Sequence, residues 1–272
     1  MKLSYPLALL LVVAASVAEA APPRAPVPLD GSTIVLPDCR ADECVSATKL
    51  VHDYAEAVPD SDEAFTIAGH CSPWRLYAEN GRIERIGDLA QQIRAHPKFP
   101  GVREIALICS WSGVRPEGAT ASLASQMEAA TGKRTTGKDG FLWLGPGGAQ
   151  KTTHQSFTAY PGRYFARPGE PVMASAVFAM PEGFPQELER TRNAEGLRYA
   201  GVYADVFLLM PDVALARFEH AARYGDAISA YNAALMRLER GAQGDRERAE
   251  AFAKRATELG DKRAAALLNQ FR

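Results

Sequence analysis

Two short apolar runs set the pattern of the first half of the chain. Ala64-Phe65-Thr66-Ile67-Ala68-Gly69-His70 and Glu104-Ile105-Ala106-Leu107-Ile108-Cys109 are rich in branched and aromatic residues, and each closes on a polar side chain. Runs of that length and composition read as buried strands. Between them, Asn80-Gly81 marks a turn. Ile86, Leu89 and Ile93 recur at helical spacing, with Asp88 to cap or charge the helix start and Pro97 to stop it. Upstream, Ser32–Leu36 predicts a first strand, and Val45, Leu50, Val51, Tyr54 and Val58 predict a helix over Ala41–Val58. Downstream, a Ser/Gly/Pro-rich loop leads to a helix over Thr120–Ala130, with Leu123, Met127 and Ala130 on its face and Gly132 as its left-handed cap. Phe141-Leu142-Trp143-Leu144 then predicts another strand, closed by Gly145-Pro146-Gly147-Gly148.

Strands alternating with helices predict an α/β fold: a mostly parallel sheet flanked by helices. Parallel strands bring their carboxyl ends to one edge, where such folds hold ligands. His70 and Cys109 both stand there.

From Asp212 the pattern becomes alanine-rich helix with charged faces. Gly225-Asp226-Ala227-Ile228-Ser229-Ala230-Tyr231 recurs loosely as Gly260-Asp261-Lys262-Arg263-Ala264-Ala265-Ala266, roughly 35 residues on, a period that marks helix-pair solenoids. Gly241 and Gly244 fall where the turn between paired helices belongs. Such units stack in threes or more to be stable, so this module is expected to dock on the first domain or on a partner. Residues 150–200 are punctuated by Pro161-Gly162, Pro168-Gly169 and Pro181-Glu182-Gly183, which suits irregular hairpins or a lid.

The amino terminus carries Lys2, an apolar Leu7–Val13 and a small-x-small Ala18-Glu19-Ala20, the three parts of a signal peptide cut after Ala20. Residues 21–30 form a Pro-rich tether. The expected organisation is a signal peptide over 1–20, a tether over 21–30, an α/β domain over 31–205 and a helical module over 206–272. Export to a periplasm or beyond follows, and no later run is long and apolar enough to span a bilayer. With 31 basic and 32 acidic side chains, charge gives no pull toward nucleic acid or anionic lipid.

All four cysteines, Cys39, Cys44, Cys71 and Cys109, are disulfide candidates in an oxidising compartment, and four allow three pairings. Cys71 directly follows His70. His52, His96, His154 and His220 lack metal-site spacing, so no metal or cofactor is expected. Gly145-Pro146-Gly147-Gly148 is followed by no Lys-Ser/Thr pair and is not a phosphate loop.

The segment from Phe65 to about Pro168 resembles a caspase–haemoglobinase-type cysteine peptidase domain, of the kind found in bacterial polymorphic and self-processing toxins. The resemblance rests on Thr66–His70, Asn80-Gly81-Arg82, Leu89–Ile93 with His96-Pro97, Ile105–Ser110 with Gly113, Leu123–Met127 and Leu142–Pro146. It implies His70 as base and Cys109 as nucleophile in peptide-bond hydrolysis; beside them, the residues near Cys71 and Ser110 are expected to hold the oxyanion and Trp74 to line a substrate pocket. Where that family has glycine after the histidine, this chain has Cys71. The stretch Ala222–Gly260 resembles a Sel-one-like repeat, a tetratricopeptide relative, which implies a protein or peptide partner. The rival to hydrolysis is a Cys71–Cys109 disulfide, which would make the chain a stapled, non-catalytic binding or scaffold protein acting through its repeats. A third expectation is a secreted effector of another activity.

Overall fold

The computed structural model describes residues 33–35, 57–59, 61, 63–78, 80–153 and 183–271, all within one compact unit. The signal peptide, the tether, Cys39, Cys44, the punctuated stretch 154–182 and most of the helix expected over 41–58 lie outside the described residues.

The chain is mixed α/β with a small parallel sheet, and its carboxyl-terminal part is helical. Strands β1 (Thr33–Val35), β2 (Ala64–Ala68), β6 (Glu104–Ile108) and β7 (Arg134–Thr136) form a four-stranded parallel sheet in the order β1-β2-β6-β7. Alternation places Phe65 and Ile67 of β2 beside Ile105 and Leu107 of β6. Helices α1 (Ile86–Ala95) and α2 (Leu123–Thr131) cover that face, burying Leu89, Ile93, Leu123 and Met127 against it. Ser122 caps α2 by accepting from the Ser125 amide, and Gly132 ends it at φ 72°.

The expected fourth strand is placed differently. Phe141–Gly145 (β8) is not in the parallel sheet but pairs antiparallel with Ala149–Thr153 (β9). A parallel partner for β7 requires a crossover of roughly a dozen residues or more, and only Gly137-Lys138-Asp139-Gly140 separates β7 from β8. Arg134-Thr135-Thr136 takes the edge instead. Its polar sequence suits an edge strand and hid it from hydrophobic patterning.

The strand expected to end at His70 ends at Ala68. His70–Cys71 (β3) opens a second, antiparallel sheet with Leu76–Tyr77 (β4) and Ile83–Glu84 (β5). Gly81 turns the β4–β5 hairpin at φ 75°.

Helices α3 (Phe184–Arg190), α4 (Ala194–Val206), α5 (Pro211–Arg223), α6 (Ala227–Arg240), α7 (Asp245–Glu258) and α8 (Lys262–Leu268) pack each against the next up to α8. The array starts upstream of the recurrence legible in the sequence. Asn193, Asp226 and Asp261 each cap a helix by accepting from amides within the first turn. Before each cap stands a left-handed residue: Arg192 at φ 52°, Gly225 at 97° and Gly260 at 92°. The amides of the three left-handed residues donate to Glu189, Ala222 and Thr257, and those of the three caps to Leu188, Ala221 and Ala256. Helix α4, within the range expected for the α/β domain, therefore packs as a member of the helical stack.

Helices α4, α5, α6 and α8 together carry the β3–β5 sheet. Tyr77 and Ile83 are buried with Val202, Phe218 and Met236. The Asn232 side chain clamps the hairpin, donating to the Gly81 carbonyl at 2.7 Å and accepting from the Ile83 amide at 2.9 Å. Arg82 pairs with Asp261, and Arg263 with the buried Glu84 at 2.5 Å. No helix among the described residues is long and apolar enough to cross a membrane.

Candidate functional site

Ala68 pairs with Ile108 at the carboxyl ends of β2 and β6, so the next residues of both strands emerge side by side. Gly69, His70, Cys109 and Ser110 line one cavity of ≈ 180 Å³ there. Its other walls come from Phe141 and Leu142 of β8 and from Val206 and Phe207 at the end of α4. The lining is mostly apolar, and burial holds the His70 imidazole below its ordinary value. His70 is thus neutral at neutral pH, the state in which an imidazole can accept a proton.

Cys109 is not a thiol. Its sulfur is bonded to that of Cys71, across a Cα separation of 5.4 Å that disulfides favour. Both cysteines are essentially inaccessible, at 0% and 1% exposure. The nucleophile implied by the peptidase resemblance is therefore oxidised in this structure, and the bond joins the end of β6 to the start of the β3–β5 sheet.

The hydroxyls beside it serve the backbone. Ser110 Oγ accepts from the Leu142 amide at 3.0 Å, which fixes β8 to the loop. Ser112 Oγ donates to the Cys109 carbonyl at 2.8 Å and accepts from the Lys138 amide at 3.0 Å. Gly113 and Gly137 approach so closely that a Cβ on Gly137 would stand 2.5 Å from the Gly113 amide nitrogen. Between these anchors Trp111 adopts φ 63°, a conformation that costs a bulky residue energy and persists only where its surroundings impose it. Its ring packs with Phe141 and Leu209, which hold it in place.

Trp74, expected at the substrate position, does not line the His70–Cys109 cavity. It borders two other clefts, of ≈ 550 and ≈ 430 Å³, together with Arg75 and Glu239. Cys71 contributes its sulfur to the staple rather than a wall to the cavity.

A buried polar cluster, invisible to motif reading, anchors the segment just past the staple. Asp205, fully buried near the end of α4, accepts from Ser72 Oγ, Tyr77 Oη and Arg75 Nη1, each at 2.8 Å. Arg75 also meets Glu239 of α6 at 2.9 Å. Burial pulls the Arg75 guanidinium down, but Asp205, Tyr77 and Glu239 together outweigh it and hold the group above its ordinary value. Burial, reinforced by Asp205, pushes the Tyr77 phenol well up. Among the described residues, no three His, Cys, Asp or Glu side chains converge as a metal site would need.

One family model matches the chain, a domain of unknown function (DUF8616), over residues 40–152. That span takes in His70, Cys71, Cys109 and Ser110 and stops short of the helical array. No curated protein and no solved structure matches the chain.

Proposed function

We propose that this is an exported, disulfide-stapled relative of caspase–haemoglobinase-type cysteine peptidases that works as a protein-binding scaffold, not as a hydrolase, in its oxidised form. The observation that carries this reading is the Cys71–Cys109 bond. Thiolate attack needs a free sulfur with an acceptor for its proton, and here that sulfur is shared with a second cysteine at 0% exposure. In an oxidising compartment a buried disulfide persists. The helical array then supports the binding role, since helix-pair stacks present extended surfaces.

A second reading, peptide-bond hydrolysis after reduction, is favoured by one fact: His70 and Cys109 line the same cavity. A dithiol reductant would release both sulfurs as thiols. Neutral His70 would accept the Cys109 proton as the sulfur attacks a carbonyl and return it to the leaving amine; water deprotonated by the same imidazole would then cleave the thioester, release the acid and restore the thiol.

The deciding experiment uses the mature chain purified from an oxidising compartment. Denatured without reductant and treated with maleimide, it should show no alkylation of Cys71 or Cys109, and the native protein should not cleave casein. Alkylation of Cys109 in that sample would refute the scaffold reading. Reductant-dependent cleavage abolished by His70→Ala would establish the second.

A further inference from the structure

We infer that the groove between α5 and α7 docks a short acidic peptide segment of a partner protein, an inference that rests on the reading of the chain as a binding scaffold. The β3–β5 sheet of the same chain already covers α4, α6, α8 and the Phe218 side chain of α5, which leaves the groove that α5 forms with α7 for a partner. That groove is ≈ 620 Å³, within the size range of ligand sites. Ala222 of α5 and Ala251 and Phe252 of α7 give it an apolar floor.

Around that floor stand four arginines and one carboxylate. Glu219 is already engaged, accepting from Arg237 Nε at 2.6 Å, and Arg237 also binds the buried Asp245 at 2.6 Å. The base of the groove is therefore internally neutralised and rigid. The three outer arginines are a different matter. Arg223 and Arg248 are exposed and form no ion pair among the described residues. Arg223 reaches only the Glu219 carbonyl, at 3.4 Å. Arg255 has one distant, exposed neighbour, Glu258 at 3.5 Å. Three cations with little local neutralisation, above a neutral base, ask for anions.

Geometry narrows the anion to a peptide. Arg248 and Arg255 lie seven residues apart on one helix face, about 10.5 Å along the axis. In a polyproline II peptide, with three residues per turn and a rise of about 3.1 Å, carboxylates three residues apart share one face and stand about 9 Å apart. A Glu-x-x-Glu segment thus meets both guanidiniums, in the bidentate manner that arginine favours. A leucine-sized residue between them reaches Phe252 and the two alanines. Duplex nucleic acid offers no apolar side chain for that floor, and the whole chain, at net charge -1, gives it no attractive field.

Fluorescence anisotropy on the full mature chain tests this with a labelled Gly-Glu-Leu-Ala-Glu-Gly peptide against its Gly-Gln-Leu-Ala-Gln-Gly counterpart. Saturable binding of the first, at least tenfold weaker binding of the second, and a loss of at least tenfold in Arg248→Ser/Arg255→Ser are expected. These positions are exposed on a helix, and circular dichroism checks that the variant folds. Arg223→Ser on α5 serves as the independent second variant. Equal affinity for both peptides, unchanged binding in either variant, or no saturation at millimolar peptide would overturn the inference. So would tighter, arginine-dependent binding of a DNA duplex. Thiol titration of the same sample separates the two readings: an oxidised, hydrolytically silent chain that ignores the peptide sinks the groove alone.

Discussion

Arg75 and Asp205, 130 positions apart in sequence, meet at 2.8 Å in the interior, where Asp205 has no exposed surface at all. The pair ties the segment after His70 to the last turn of α4, and Val206 of that turn walls the His70–Cys109 cavity. The helical array is thus part of the candidate site, not an appendage to it. Ser72 and Tyr77 complete the carboxylate's hydrogen bonds, which is what makes a buried charge tolerable.

Removing one partner of that pair strands the other. Asp205→Ala leaves a guanidinium buried without its principal counter-charge, and should lower unfolding free energy by about 3–5 kcal/mol. Urea unfolding measures this directly. An Asp205→Ala variant within about 0.5 kcal/mol of the parent would contradict the packing described.

The staple closes a loop of 38 residues. Restricting the unfolded chain by such a loop contributes about 4 kcal/mol in the chain-entropy account. The Cys71→Ala/Cys109→Ala variant, and the parent in reductant, should both lose unfolding free energy by about that amount, read as lower denaturant midpoints. Reductant should move the variant far less than it moves the parent.

Acid should destabilise the fold through His70. Its imidazole is held below its ordinary 6.5 by burial, so the unfolded chain binds the proton more readily than the folded one. Stability from this residue is complete above about pH 6.5 and is lost as the pH falls toward the folded value. Melting temperature should decline as the pH falls below about 6.5, and less steeply in His70→Gln.

Arg192 holds the left-handed position that Gly225 and Gly260 hold in the next two units. A side chain there costs roughly 1–2 kcal/mol, partly offset in any glycine variant by the entropy of the unfolded chain. Arg192→Gly should stabilise the protein by roughly 0.5–1 kcal/mol in thermal or urea unfolding. Gly225→Ala should destabilise it, by at least about 1 kcal/mol.

Much of this architecture was legible in the chain itself, because the signals are local. Hydrophobic spacing marked β2, β6, α1 and α2, and Gly132 marked the end of α2, whereas the Ser122 cap that starts it two residues past the expected Thr120 went unread. The recurrence of Gly225-Asp226 as Gly260-Asp261 was legible as a repeat, and the structure makes both pairs helix starts, a left-handed residue followed by a capping carboxylate. The third start, Arg192-Asn193, escaped because arginine does not advertise the conformation it adopts.

Tertiary structure alone decided the rest. Strand order at the sheet edge depended on connection length, which sent β8 into a hairpin and gave the edge to polar Arg134-Thr135-Thr136. The Asp205 cluster and the Asn232 clamp draw on residues over a hundred positions apart, and no window of sequence contains both ends. The chemistry of Cys109 was settled the same way. Its residue type and strand-end position are equally those of a nucleophile and of half a disulfide. The turn after His70 carries Cys71 to within 5.4 Å, Cα to Cα, and proximity in space, which only the folded chain supplies, makes the bond.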